Sequence, residues 1–149
     1  MNHCYCANAV DGIKQLDTES VNCCVTSPPY YGLRDYGVKG QLGLEPTPAE
    51  YINHLVDVFR EVWRALRNDG TLWLNVGDSY AGSGKGAWNN KTAQKETYVP
   101  DPHGATAKMA KTFEGIKPKD LVGIPWMLAF ALRADGWYLR QDIIWQKPN

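Results

Sequence analysis

Polar and apolar positions along this chain fall into short blocks of alternating kind. Val21-Asn22-Cys23-Cys24-Val25 is a near-continuous apolar run, the pattern of a strand buried on both faces in a parallel sheet. Before it, Ile13 and Leu16 stand at helical spacing behind the Asp11-Gly12 turn, predicting a short helix over 11–16, and residues 4–9 read as a first short strand. After it, Tyr51, Leu55, Val58, Phe59, Val62 and Leu66 recur every three or four positions, giving one apolar helix face. Thr47-Pro48-Ala49-Glu50 starts that helix as a capping box with proline in its first turn. Asn68-Asp69-Gly70 is expected to end it, and residues 71–76 form the next predicted strand. A second long helix is predicted over 120–134, kinked at Pro125, and a last strand over 137–145. Strands alternating with helices predict an α/β fold.

The stretch Ser79–Lys119 breaks the pattern. It is polar and Gly-rich, with little periodicity, and its seven lysines against three acids give it a local charge of +4. Trp88, Tyr98 and Phe113 are interleaved with the lysines. Two readings stand side by side: a loop that faces nucleic acid, or a solvated insertion. Over the whole chain, 16 basic and 16 acidic residues cancel, so any nucleic-acid role must rest on a local patch. The 149 residues suit one domain, 1–149, with a Lys-rich insertion at about 79–119.

Other features bound the function class. No apolar run reaches the length of a transmembrane helix, so no membrane partner is expected. The opening MNHCYCANAV has no basic segment followed by an apolar one, which argues against a signal peptide. Cys4, Cys6, Cys23 and Cys24 are spaced C-x-C and C-C, which fits no common zinc pattern. They are expected to be small buried hydrophobes on two strands in a reducing cytoplasm, with no metal site. Trp73, Trp126, Trp137 and Trp145 read as ordinary core, the alternative being that they face a further layer. His3, His54 and His103 have no partner pattern.

The apolar run of 21–25 ends in Ser27-Pro28-Pro29-Tyr30. Two prolines cannot continue a central strand, because neither has an N–H to donate. The chain must leave the sheet stiffly there, at the strand's carboxyl end, where open α/β sheets bind ligands. What such an edge can do follows from its groups. The amino group on a nucleobase is a poor nucleophile, because its lone pair is delocalised into the ring. Two acceptors for its N–H groups, the Ser27 hydroxyl and the Pro28 carbonyl, localise that lone pair as bonding to carbon begins. Pro28 and Pro29 fix the carbonyl's direction, and Tyr30 is placed to stack on the base, worth about 1–3 kcal/mol. A duplex base must first be flipped out to reach such a site. The competing reading is a chance tetrapeptide in a turn.

VNCCVTSPPYYGLRDYG resembles the catalytic segment of the DNA amino-methyltransferases, whose signature is Asp/Asn/Ser-Pro-Pro-aromatic. CYCANAVDGIKQLDTESVNCC is similar to that family's lead-in, LRNDGTLWLNVGDSY to its next strand, and DLVGIPWMLAFALRADGWYLRQDIIWQKPN to its helix and strand ending in Trp-x-Lys-Pro-Asn. The resemblance spans nearly the whole chain apart from the Lys-rich loop. It implies a Rossmann-like methyltransferase fold, α/β, with a doubly wound, mostly parallel sheet that is incomplete in this chain. It implies S-adenosylmethionine as methyl donor and double-stranded DNA as partner. Ser27, Pro28, Pro29 and Tyr30 become the catalytic residues, and Asn8, Ser27 and Pro28 the contacts to the donor. Tyr31, Arg34 and Lys85 become candidate DNA contacts. Serine in the first signature position is typical of cytosine-N4 enzymes and aspartate of adenine-N6 enzymes. A signature near the start marks the circularly permuted branch.

Three departures accompany the resemblance. The family's Asp-Pro-Phe-x-Gly-x-Gly-Thr element is not in the sequence. Gly82-Ser83-Gly84-Lys85-Gly86 lacks its flanks and does not match a phosphate-binding loop. Ala7-Asn8 stands where the family has Gly-Asp, so Asn8 can hydrogen-bond but supplies no charge. The expectation is an amino-terminal catalytic portion, with a second chain or a further segment supplying the glycine-rich element. The rivals are an adenine-N6 enzyme, a fragment that only binds DNA or a partner, and a protein-amide methyltransferase, against which Ser27 in place of Asn argues. Tyr31 either shapes the base pocket or packs under the loop. Arg34 and Asp35 either engage a phosphate or form a surface pair, and Asp78 either supports the site or caps a turn.

Overall fold

The computed structural model describes residues 3–82 and 115–146. Its elements are α1 (Ala9–Lys14), β1 (Val21–Thr26), α2 (Pro48–Ala65), β2 (Leu66–Leu74) and α3 (Ile124–Ala134). β1 and β2 are parallel neighbours in a two-stranded sheet, with α2 as the crossover between them. Cys23 to Thr26 pair in step with Thr71 to Leu74. α2 begins where predicted: Thr47 caps it by accepting the Glu50 N–H at 3.2 Å, and Pro48 occupies the first turn. Its stripe of Tyr51, Ile52, Leu55, Val56, Phe59 and Val62 meets Ile124, Leu128 and Leu132 of α3 to form the core. Leu72, Leu74, Val76 and Cys24 pack against that core from the sheet.

Among the described residues, only this face of the sheet is covered. Side chains alternate along a strand, so Cys23, Val25, Thr71 and Trp73 point the other way, and all four are exposed, Val25 at 78%. The expectation that β1 is buried on both faces is therefore corrected. The cysteines are corrected with it: Cys4, Cys6 and Cys23 are exposed and Cys24 is partly buried. Trp73, Trp126 and Trp145 are exposed rather than core, whereas Trp137 is partly buried, edge-on to Trp63 with ring centroids 4.8 Å apart.

Element boundaries moved for local reasons. α2 stops at Ala65 because Leu66 turns extended, and Asn68-Asp69-Gly70 falls inside β2 as an irregularity. The last carbonyls of α2, on Arg64 and Ala65, accept the N–H groups of Glu19 and Ser20 at 3.0 Å each. That satisfies a helix end from the chain entering β1. α3 starts at Ile124, so Pro125 sits in its first turn, where proline is tolerated, and causes no kink. Residues 4–8 form no strand, and Asn8 instead caps α1. Residues 137–146 likewise form no strand: the Trp137 N–H donates back to the Leu132 carbonyl at 3.0 Å, and Trp145 is 78% exposed. A strand exists only where a neighbour takes its N–H and C=O groups, and no such neighbour lies beside either segment among the described residues.

The two ends of the Lys-rich stretch are tied together. Ala81 donates to the Asp120 carbonyl at 2.8 Å, Lys119 to that of Ala81 at 2.7 Å, and Val122 to that of Ser79 at 2.8 Å. The rest of the stretch, including Lys85, lies outside the described residues.

Candidate active site

The site grows from the carboxyl ends of the two parallel strands. The Asn75 N–H donates to the Thr26 carbonyl at 3.0 Å, one residue past the end of β2. Pro28 and Pro29 follow, and neither has an N–H to extend the ladder. Ser27 is left exposed at the rim, and its hydroxyl donates to the Tyr30 phenol oxygen over a long 3.4 Å. The Tyr30 ring lies against Gly77, just past the end of β2. A methyl group on Gly77 would stand 2.9 and 3.0 Å from Cε2 and Cδ2 of that ring. The sequence Val76-Gly77-Asp78 thus leaves a bare spot where the ring sits.

A second layer lies behind the prolines. The Tyr51 hydroxyl, from the first turn of α2, donates to the Pro29 carbonyl at 2.8 Å. The Gly32 N–H donates to the Gly43 carbonyl at 2.7 Å, and the Gly43 N–H to Oε2 of Glu45 at 2.8 Å. Gly43 has φ +94, and a Cβ there would meet the Tyr30 carbonyl at 2.9 Å, so only glycine fits. Glu45 is 7% exposed, and its other oxygen is 3.1 Å from Nδ1 of His54. Tyr31, 1% exposed, packs beneath the loop with its ring centroid 5.3 Å from that of Tyr51. Its hydroxyl donates to the Pro46 carbonyl at 3.3 Å, and its carbonyl accepts the Ser79 hydroxyl at 3.0 Å. Burial, then Glu45 and Glu50, push the Tyr31 phenol up to about 12. Burial, then Glu45 and Tyr30, raise that of Tyr51 also. Both phenols stay protonated as donors at neutral pH.

The remaining candidates lie on other segments. Asn8 accepts the Val10 N–H at 3.0 Å as the cap of α1, which leaves its amide NH2 to donate. No hydrogen bond links it to residues 27–30 among the described residues. Arg34 lies over the ring of Tyr36 at 5.9 Å, and Asp35 accepts the Gly37 N–H at 2.9 Å. Asp78 caps α3, taking the N–H groups of Gly123 and Ile124. Lys147 and Asn149 lie outside the described residues. Among these residues no cluster of His, Cys, Asp and Glu could hold a metal ion, and no helix is long and apolar enough to cross a membrane.

The DNA methylase family of N6 and N4 methyltransferases matches residues 21–149. The chain belongs to that family. The Type II methyltransferase M.SmaI of Serratia marcescens is 53% identical over 142 residues, covering 95% of this chain and 46% of the relative. M.Cfr9I of Citrobacter freundii is 50% identical, covering 95% and 45%, and M.SfiI of Streptomyces fimbriatus 38% identical, covering 97% and 30%. The chain thus spans less than half the length of these relatives. No solved structure matches it. For a DNA methylase, the small parallel sheet with its helices is compatible with a Rossmann-like α/β fold. Among the residues that sequence reasoning missed, Gly43, Glu45 and Gly77 belong to no recognisable motif. Tyr51 was visible only as one position of an apolar stripe.

Proposed function

We propose that this chain carries the catalytic edge of a DNA methyltransferase that modifies the exocyclic amine of a flipped-out base, cytosine N4 by preference. The observation that carries the reading is the Ser27-Pro28-Pro29-Tyr30 edge at the carboxyl end of β1, with an exposed hydroxyl and a ring seated on Gly77. The Ser27 oxygen and the Pro28 carbonyl accept the two N–H groups of the amine and turn its lone pair out of the ring plane. Pro29, tied to Tyr51, keeps the Pro28 carbonyl in place. Tyr30 stacks on the base. Arg34 and Lys85 meet the DNA backbone, and Tyr31 supports the loop from below. No strong base is required, because the amine nitrogen becomes acidic as its lone pair is used, and its proton leaves to water. Most of the acceleration is placement, on the order of 7–11 kcal/mol at best.

In this reading the chain's own residues hold part of the methyl donor. The Ser27 hydroxyl, the Pro28 carbonyl and the Asn8 amide are polar groups of the kind that hold ribose hydroxyls, an ammonium group and an adenine edge. S-adenosylmethionine supplies an electrophilic methyl group when bound. The glycine-rich element implied by the resemblance is not in these 149 residues, and in this reading it comes from a further segment or a second chain that also extends the sheet into a doubly wound one. Serine at position 27 favours cytosine N4 over adenine N6.

The test is nucleoside analysis of double-stranded DNA after incubation with S-adenosylmethionine and the protein that carries these residues. N4-methylcytosine is the expected product. N6-methyladenine moves the reading to the other base, and no methylated nucleoside overturns it. Calorimetric titration of the 149-residue chain with the donor then shows whether the donor site needs more than these residues.

A further inference from the structure

We infer that Glu45 and Tyr51 are positioning residues that lock the Ser27–Tyr30 segment into its working shape before DNA arrives, an inference that rests on the function proposed above. Two tethers act on the turn from one side. Tyr51 holds the Pro29 carbonyl at 2.8 Å, and Gly43 holds the Gly32 N–H at 2.7 Å. The second tether depends on Glu45, whose carboxylate takes the Gly43 N–H at 2.8 Å and so fixes the residue whose carbonyl, on the following peptide, accepts the Gly32 N–H.

A carboxylate that is 7% exposed is costly unless its lone pairs are used. Here one oxygen serves the Gly43 N–H and the other lies against the His54 ring. Glu45 and Tyr51 flank the start of α2, so both tethers are referred to one rigid helix that also forms the core. The Gly43 approach is so close that a Cβ would strike the Tyr30 carbonyl at 2.9 Å and that of Pro29 at 3.3 Å. Gly43 is therefore packed onto the back of the catalytic turn. Proline rigidity alone fixes two φ angles but not the orientation of the whole turn against the sheet.

The test uses Tyr51→Phe, Glu45→Ala and Glu45→Gln in the protein that carries the segment, with two readouts. Single-turnover methyl transfer is expected to fall on the order of 10–100-fold in Tyr51→Phe and Glu45→Ala, the range for a misplaced reacting group. KM for DNA should change less than about twofold. Glu45→Gln keeps an acceptor for the Gly43 N–H and should recover most of the lost rate. Amide exchange at Gly32 and Leu33 should accelerate about tenfold or more in Tyr51→Phe and Glu45→Ala, with Glu45→Gln near wild type. Unchanged exchange at these amides, or a rate loss that Glu45→Gln does not restore, overturns the inference. If the wild type itself transfers no methyl group, the proposed function fails, and exchange alone still decides whether the tethers hold the turn.

Discussion

Both carboxylate oxygens of Asp78 accept the backbone N–H of Gly123 at 3.0 Å, although 45 positions separate the two residues. One of them also takes the Ile124 N–H at 3.1 Å and the Ser79 N–H at 2.8 Å. The first residues past β2 thereby cap α3, and the negative charge lies where the helix's positive end is. Replacing Asp78 by Ala removes the cap and the charge together, worth about 1–2 kcal/mol. A lower urea midpoint with an unchanged slope is the expected result, and a midpoint equal to that of the wild type would show that the cap is dispensable.

Next to that cap, Gly77 faces the Tyr30 ring. Its role is steric, because the missing side chain is what lets the ring lie on the end of β2. A Gly77→Ala change leaves the backbone comfortable and displaces only the ring, a flexible end, so its stability cost stays below about 1 kcal/mol. The effect on the proposed methyl transfer is larger, on the order of 10-fold or more, since the stacking surface moves. Paired measurements of melting temperature and transfer rate check this. A large loss of stability with proportionate loss of rate would make Gly77 a packing residue only.

How much of this was legible beforehand follows from the kind of signal. β1 and the start of α2 were readable, because a strand broken by two prolines and a Thr-Pro helix start are local patterns. The point where the chain leaves the sheet, at Ser27-Pro28-Pro29-Tyr30, was readable for the same reason. The true end of α2 was not, because Glu19 and Ser20 close it from the chain before β1. The start of α3 was misplaced because its cap, Asp78, lies far away in sequence. Tyr51 read as one more apolar position, since nothing in a 3.6-residue period announces that its hydroxyl reaches the Pro29 carbonyl. The strands predicted at 4–9 and 137–145 have strand-like composition but no neighbour to pair with among the described residues. Pairing is a property of the sheet, not of the segment.

The raised tyrosines make a pH prediction. The Tyr31 phenol moves from 10.0 in an unfolded chain to about 12 in the folded one, first because it is buried. Its folded value lies above its unfolded value, so the stabilisation is fully present below pH 10 and is lost as pH rises from 10 towards 12. Tyr51 shifts in the same direction. Alkaline titration should therefore show the helical circular-dichroism signal falling across that window, in step with late tyrosinate absorbance. Tyr31→Phe should push the loss to higher pH. A helical signal that persists after every tyrosine has ionised would contradict the buried placement.

Ser27 separates chemistry from architecture. Its side chain is exposed and its one described bond, to Tyr30, is long at 3.4 Å. Ser27→Ala should therefore shift stability by no more than about 0.5 kcal/mol. In the proposed mechanism, though, that hydroxyl is one of only two acceptors for the target amine. Removing one of a small set of transition-state hydrogen bonds costs on the order of 10²–10³ in rate. The Pro28 carbonyl, being backbone, survives the change and accounts for whatever transfer remains. The decisive measurement is single-turnover transfer to DNA by wild type and variant at saturating donor. A near-normal rate for Ser27→Ala would remove the hydroxyl from the mechanism and leave the Pro28 carbonyl and placement alone to activate the amine.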